Sequence, residues 1–397
     1  MENISGRIRK LSDSQTMAMN QKSKDLQSQG VDIINLSVGE PDFHTPPHVK
    51  EAAKRAIDDN VSFYSPVGGF PQLKNAISKK FLHENELEYP PENIIVSNGA
   101  KHSIANAIMV LVDDGDEVIV PAPYWVSYVE LVKLAGGTNI IIESDVRTDF
   151  KITPAQLEEA ITPKTKVLLL CSPNNPTGTV YTKEELQEIV MILMRYPGVF
   201  IISDEIYEHI NFIGKHESIA SFGEIKERVV VVNGVSKAYA MTGWRVGYLA
   251  APGWIVKACS KLQGQFTSGA SSISQMAALA ALGGDNTYTD KMREAFLRRR
   301  DLVLERAASI DGFVMSRPGG AFYIFPDISA FCGKKFDGNV IKDDNDFCLF
   351  LLEHAHVAAV PGEAFGAPDH IRISYAASDS ILNEAFDRIE KALERLV

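Results

Sequence analysis

Four polar clusters in this sequence share one placement: each follows directly on a short apolar run. Asn98-Gly99-Ala100-Lys101 follows 94–97, and the heptapeptide SPNNPTG (172–178) follows 167–171. Asp204-Glu205-Ile206-Tyr207 follows 199–203, and Gly234-Val235-Ser236-Lys237 closes 229–233, with AMTGWRVGY (240–248) behind it. Small residues opening a helix leave backbone N–H groups free for an anion, and the helix dipole adds to the attraction. The same residues also make an ordinary tight turn. Adjacent asparagines between two prolines can present amides from a fixed loop, although Asn-Pro and Thr-Gly are common turn chemistry. A carboxylate at a buried sheet end needs a cation or hydrogen-bond donors, unless Asp204 simply caps a helix. A lysine at the mouth of a buried sheet loses hydration, which lowers its pKa toward a reactive amine of the Schiff-base kind. A solvent-facing loop lysine is the alternative, since Ser23-Lys24, Ser78-Lys79 and Ser260-Lys261 repeat the same dipeptide elsewhere.

An anion cradle, an amide, a carboxylate and an amine at strand ends fit a phosphorylated cofactor with a heteroaromatic nitrogen and a carbonyl carbon. Pyridoxal 5′-phosphate meets that description. The elements that must position these groups are short strands. From about residue 90, β-rich runs (94–97, 117–120, 139–142, 167–171, 199–203, 229–233, 247–250) alternate with helical patterns at 103–112, 154–161, 183–195 and 252–261. Several runs are apolar at consecutive positions, as strands covered on both faces must be. The pattern predicts an α/β fold with a mainly parallel sheet, whose ligands bind beyond the strands' carboxyl ends. A long charged helix over 289–309 carries Arg298-Arg299-Arg300, read as a solvated face. Beyond it, strand-like segments 313–316, 321–325, 357–360 and 371–375 and a closing helix, 380–396, predict a smaller α+β domain. The amphipathic stretch 15–29 is expected to join it.

With 397 residues the chain has room for two or three domains. Its 40 Lys+Arg against 51 Asp+Glu leave a net charge of −11, which argues against a nucleic-acid partner. No apolar run approaches membrane-spanning length, no secretory signal is visible, and the four cysteines show no CxxC or metal-like spacing. Reduced thiols in a cytoplasmic protein are expected, with no membrane partner and no metal.

The motifs VGEPDF (38–43), YSPVGGFPQLKNAI (64–77), PAPYWVSY (121–128), SPNNPTG (172–178), SDEIYEH (203–209), SKAYAMTGWRVGY (236–248), PGGAFYIF (318–325) and HIRISYA (370–376) occur in one order along the chain. In that set and order the sequence resembles the class I/II aminotransferases of the fold-type I pyridoxal-phosphate family, over nearly its full length, with most similarity to the bacterial aspartate aminotransferase subgroup. The resemblance implies a large cofactor-binding domain over 48–288 and a small domain over 289–397, with a long linking helix. An N-terminal segment, 1–47, would pack against the small domain. Lys237 would hold the cofactor as a Schiff base and then move the substrate's Cα proton, and Asp204 would pair with the ring nitrogen. Asn175 and Tyr207 would hydrogen-bond the ring's 3′-oxygen, and Trp125 would stack on its face. Gly99, Ala100, Lys101, Ser236 and Arg245 would surround the phosphate, joined by Tyr64 from the partner subunit of a homodimer. Arg372 would grip the substrate α-carboxylate through a two-pronged contact, and Gly39 would let the backbone come close to it. Gly234 departs from the family pattern, which often has serine three residues before the lysine.

The resemblance also implies small-molecule amino acid and 2-oxo acid substrates. Lys101 matches the position of a lysine implicated in binding the distal carboxylate of aspartate, with Thr16 able to add a hydrogen bond. Some relatives accept prephenate with the help of a basic residue in the N-terminal segment, where this chain has Leu11-Ser12-Asp13. The expected reaction is ping-pong transfer between L-aspartate and 2-oxoglutarate; an aromatic- or alanine-type aminotransferase is the alternative. A ligand-sensing regulator on this fold would carry a DNA-binding module ahead of it, but the motifs begin by residue 38. A nicotinamide-dependent dehydrogenase would need a GxGxxG turn, which the sequence lacks.

Overall fold

Strands that are apolar at consecutive positions need cover on both sides, and these have it. The structure, a computed structural model, describes residues 3–13 and 15–397; positions 1, 2 and 14 of the N-terminal segment lie outside the described residues. Seven strands form one sheet in the order Ile94–Ser97, Gly247–Ala250, Val229–Gly234, Phe200–Asp204, Thr165–Cys171, Glu117–Pro121, Thr138–Ile142. Gly247–Ala250 runs against its two neighbours, and the other pairs are parallel. Successive residues enter opposite cores: Leu168, Leu170, Ile201 and Val231 go to one, Val167, Leu169, Ile202 and Val232 to the other.

The first core is closed by helices Pro154–Ala160 and Lys183–Met194, whose starts are set by capping boxes at Thr153/Gln156 and Thr182/Glu185. Helices Pro47–Asp58, Pro71–Asn85 and Ser272–Leu282 pack on the same side. Ala100–Leu111, Ser127–Ala135 and Gly253–Phe266 cover the other face. A separate core gathers Met292, Phe296 and Val303 of the helix Thr287–Ala308, Phe386 and Ile389 of the helix Asp379–Leu393, and Ile34 and Leu36 from the N-terminal part. It is lined by a three-stranded antiparallel sheet, Val360–Pro361, Ile371–Ser374 and Tyr323–Ile324.

The expected sheet strands all form, with ends shifted by a residue or two. Elsewhere the fold corrects the reading. The run 357–360 is two strands: Val357–Ala358 pairs with Ile34–Asn35, and Val360–Pro361 pairs with Ile371–Ser374. Residues 313–316 make no ladder, only a bridge between Val314 and Asp327. The arginine triplet is not a solvated face. Three consecutive helical residues spread over about 200° of the helix, so two of them turn inward. Arg299 donates to both Asp42 carboxylate oxygens (2.7 and 2.9 Å), and Arg300 donates to the Pro318 carbonyl (3.1 Å). Arg298 alone of the three stays exposed, paired with Asp379. Among the described residues no helix is long and apolar enough to cross a membrane.

Candidate active site

The carboxyl ends of three neighbouring parallel strands, Thr165–Cys171, Phe200–Asp204 and Val229–Gly234, open into a cavity of about 420 Å³. The start of the helix Ala100–Leu111 lines it, as do Tyr323, from the separate core around Phe296, and Arg372, on the strand Ile371–Ser374.

Lys237 sits three residues beyond its strand, inside the cavity rather than on a solvent-facing loop. Its Nζ donates to the Gly39 carbonyl (2.6 Å) and lies 5.6 Å from the centre of the Tyr207 ring. Burial, reinforced by the nearby Arg372 guanidinium, pulls its pKa down to about 8. Asp204 ends its strand fully enclosed. Its Oδ2 accepts from the Tyr128 hydroxyl (2.6 Å) and its Oδ1 from the Ile206 N–H (3.2 Å). No helix follows, so Asp204 is not a helix cap. Burial raises its pKa to about 6, and among the described residues no cation pairs with it.

Arg372 is 2% exposed and also has no carboxylate partner among the described residues. It donates from Nη1 to Asn175 Oδ1 (2.9 Å) and from Nη2 to the Ser37 carbonyl (2.6 Å), while Nε is buried without a partner. The guanidinium carbon lies 4.6 Å from the centre of the Tyr323 ring. Burying an unpaired guanidinium is costly. It lies ready for an anion.

At the helix start, Gly99 takes a φ of +86°, and a Cβ there would run into the Arg245 guanidinium. Arg245 donates to the carbonyls of Thr242 (2.7 Å) and Asn98 (3.2 Å). Lys101 Nζ lies 4.9 Å from the centre of the Trp125 ring, and its pKa is lowered by burial and then by Arg245. Two cations thus stand at the positive end of a helix, and among the described residues no carboxylate pairs with either. Such a cluster suits a phosphate or carboxylate.

The cavity brings together Gly39, Ala100, Lys101, Trp125, Asn175, Asp204, Tyr207, Ser236, Lys237, Arg245 and Arg372; Thr16 reaches it too, with a buried hydroxyl that has no partner. Gly99 lies beneath Arg245 rather than on the wall, and Tyr64 is 99% exposed, away from the cavity of its own chain. Gly234 has a packing reason: a Cβ there would come within 2.9 Å of Gly247 Cα on the adjacent strand. Asn175 and Tyr207 are both at the site, the first engaged by Arg372 and the second 2.7 Å from the Tyr323 hydroxyl.

Sequence reasoning missed Tyr128 and Tyr323, whose motifs were noted without a role for either phenol. Nothing in a sequence separates a hydrogen-bonding tyrosine from an ordinary core one. It also missed how the turn after Asp204 is held from behind. Glu205 accepts from Ser203 Oγ (2.9 Å) and Ser218 Oγ (2.6 Å) and faces His216 Nε2 at 2.9 Å, while Glu208 pairs with buried Lys80. The spacing in Asp-Glu-Ile-Tyr-Glu sends 204 and 207 to the cavity and 205 and 208 away from it.

Comparison with known proteins places this geometry among relatives. A family model described as aminotransferase class I and II matches residues 31–389. The aspartate aminotransferase of Geobacillus stearothermophilus is 45% identical over 396 residues, covering 98% of this chain and 99% of that protein. A Petunia hybrida protein named as a bifunctional aspartate aminotransferase and glutamate/aspartate-prephenate aminotransferase is 46% identical over 98% of this chain and 82% of its own length. Among solved structures, the aspartate aminotransferase of Rhizobium meliloti superposes with a TM-score of 0.96 at 43% identity, covering all of both chains. That of Thermus thermophilus, solved with maleate, superposes with a TM-score of 0.93 at 41% identity, covering 99% of this chain and all of that one.

Proposed function

This chain belongs to the class I and II aminotransferases, and from that membership we propose that it transfers the amino group of L-aspartate to 2-oxoglutarate with pyridoxal 5′-phosphate as cofactor. The observation that carries the reading is Arg372, a buried guanidinium with an unpartnered Nε and no carboxylate beside it. Its planar fork suits the α-carboxylate that every amino acid and 2-oxo acid substrate shares.

The residues present fit the cofactor. The buried Asp204 carboxylate without a cation suits a protonated ring nitrogen, Lys237 suits a carbonyl carbon, and the helix start with Gly99, Ala100, Lys101, Ser236 and Arg245 suits a phosphate. When bound, the cofactor supplies an electron sink that makes the substrate Cα–H acidic. Lys237, lowered to about 8, is partly neutral near physiological pH and can take that proton and return it. Asp204 would keep its charge to pair with the ring nitrogen, and the Tyr128 hydroxyl fixes the carboxylate by donating to it. Asn175 and Tyr207 would orient the ring oxygen, Trp125 would cover a ring face, and Gly39 would leave room for substrate. One pocket serves both half-reactions, so a rigid clamp for the shared carboxylate is joined by an adaptable distal site. For that site we assign Lys101, with Thr16, which lines the same cavity, as a second contributor. The Thermus thermophilus relative was solved with maleate, a dicarboxylate, which supports a dicarboxylic substrate for a pocket of this kind.

We assign residues 48–288 to the cofactor-binding domain and 289–397, with the N-terminal segment, to the small domain. We further propose a homodimer. Tyr64, Phe63 and Phe266 are 99%, 83% and 65% exposed, apolar surface that a second copy would cover while Tyr64 reaches the partner's phosphate site. The four free cysteines accord with a cytoplasmic enzyme.

The test is the absorbance spectrum of purified protein loaded with pyridoxal phosphate. A visible band that bleaches with L-aspartate and returns with 2-oxoglutarate is expected. A band that ignores aspartate but bleaches with phenylalanine or alanine would retain the aminotransferase and discard the substrate. No band at all would overturn the role of Lys237.

A further inference from the structure

Tyr323 stands where three of these residues meet. Its hydroxyl is 2.7 Å from that of Tyr207, and its ring lies 4.6 Å from the Arg372 guanidinium carbon. A Cβ at position 39 would collide with that hydroxyl, so the glycine whose carbonyl takes the Lys237 proton donor is also what makes space for Tyr323. Tyr323 is completely buried, so its phenol must find a partner inside the protein, and Tyr207 supplies it. The charged and titratable groups around the two phenols are Lys237, Arg372 and Cys171.

We propose that Tyr323 is a positioning residue with two separable jobs: its hydroxyl orients the Tyr207 hydroxyl, and its ring carries the Arg372 guanidinium. This rests on the functional reading above. In the proposed arrangement Tyr323 is the donor of this pair, which leaves the Tyr207 proton free to donate into the cavity, where it would serve the cofactor's ring oxygen. A donor there would draw charge from that oxygen and so lower the pH at which the bound cofactor changes its absorbance. The Tyr323 ring, the nearer of the two aromatic rings on Arg372 (Phe365 lies at 5.0 Å), offsets part of the cost of burying a cation, and it helps fix the fork's plane for a carboxylate.

Tyr323→Phe separates the two jobs, because it removes the hydroxyl and keeps the ring. In the pyridoxal-phosphate-loaded protein, the pH midpoint of the visible absorbance should move up by about half to one unit, the value of one neutral hydrogen bond. Affinity for maleate, used as the carboxylate probe, should stay within about twofold because the cation–π contact survives. Tyr207→Phe should move the midpoint further, and the double variant should match it, since Tyr323 acts through Tyr207. Tyr323→Leu should weaken maleate roughly tenfold by loss of the ring. An unchanged midpoint in Tyr323→Phe overturns the proposal, as does maleate affinity that falls equally in Tyr323→Phe and Tyr323→Leu. Absence of a visible band in the wild-type protein instead overturns the functional reading, and the maleate comparison still decides the ring's part.

Discussion

Replacing Asp204 by asparagine should make the cofactor-free protein more resistant to heat at pH 8 while abolishing transamination. In the folded chain the carboxyl is enclosed, and burial lifts its pKa from 3.8 to about 6. That gap of about 2 units corresponds to about 3 kcal/mol by which ionising Asp204 destabilises the fold. Asparagine keeps the first contact, its Oδ1 accepting from the Ile206 N–H, and reverses the second, its amide donating to the Tyr128 oxygen while the phenol proton turns to the neighbouring Cys171 sulfur. The neutral side chain escapes the cost of ionisation. Because the folded state holds this proton more tightly than the unfolded one, the wild-type deficit is complete above pH 6. It shrinks as pH falls and is gone near pH 4. The assay is the thermal midpoint of both cofactor-free proteins at one scan rate from pH 8 to 4.5. For a chain of this size the variant should lead by a few degrees at pH 8, and the lead should close on the acid side. Added cofactor should reverse the order, because only the carboxylate gains from a cationic ring nitrogen. A lead that is absent, or constant across that pH range, would refute the claim that Asp204 carries a buried charge whose desolvation outweighs its compensation.

Arg372→Lys should raise the KM for aspartate and for 2-oxoglutarate alike by roughly 10- to 100-fold, since a point charge cannot replace a charged two-pronged contact; steady-state kinetics on both substrates checks it. An effect on one substrate alone would contradict a clamp for the shared carboxylate. Lys101→Ala should raise the KM for aspartate by about tenfold and leave that for phenylalanine or alanine near its wild-type value. If all three change together, Lys101 serves the cofactor phosphate and not the distal carboxylate.

The central sheet was legible because burial on both faces leaves a local mark, the consecutive apolar residues of 167–171 and 229–232. The small domain was less so. The run 357–360 looks like one strand, yet its halves answer to partners more than 300 residues and about a dozen residues away, Ile34–Asn35 and Ile371–Ser374. The arginine triplet misled for a similar reason. Helical geometry keeps the three from sharing one face, but which of them are buried depends on the packed partners, and the acids that receive Arg299, Asp42 and Asp379, lie far off in sequence.

Residue types at strand ends determined much by themselves. The Lys237 amine, the Asp204 carboxylate, the Asn175 amide and the Gly99–Lys101 turn were nameable as candidates because a parallel sheet delivers whatever follows its strands to one edge. Tertiary structure decided their charge states and partners. Only folding encloses Asp204 against Tyr128, sets Arg372 beneath the rings of Tyr323 and Phe365 without a carboxylate, and lowers Lys237 to about 8. The reason is physical: desolvation and orientation depend on which atoms surround a group, and those atoms come from segments that meet only when the chain is folded.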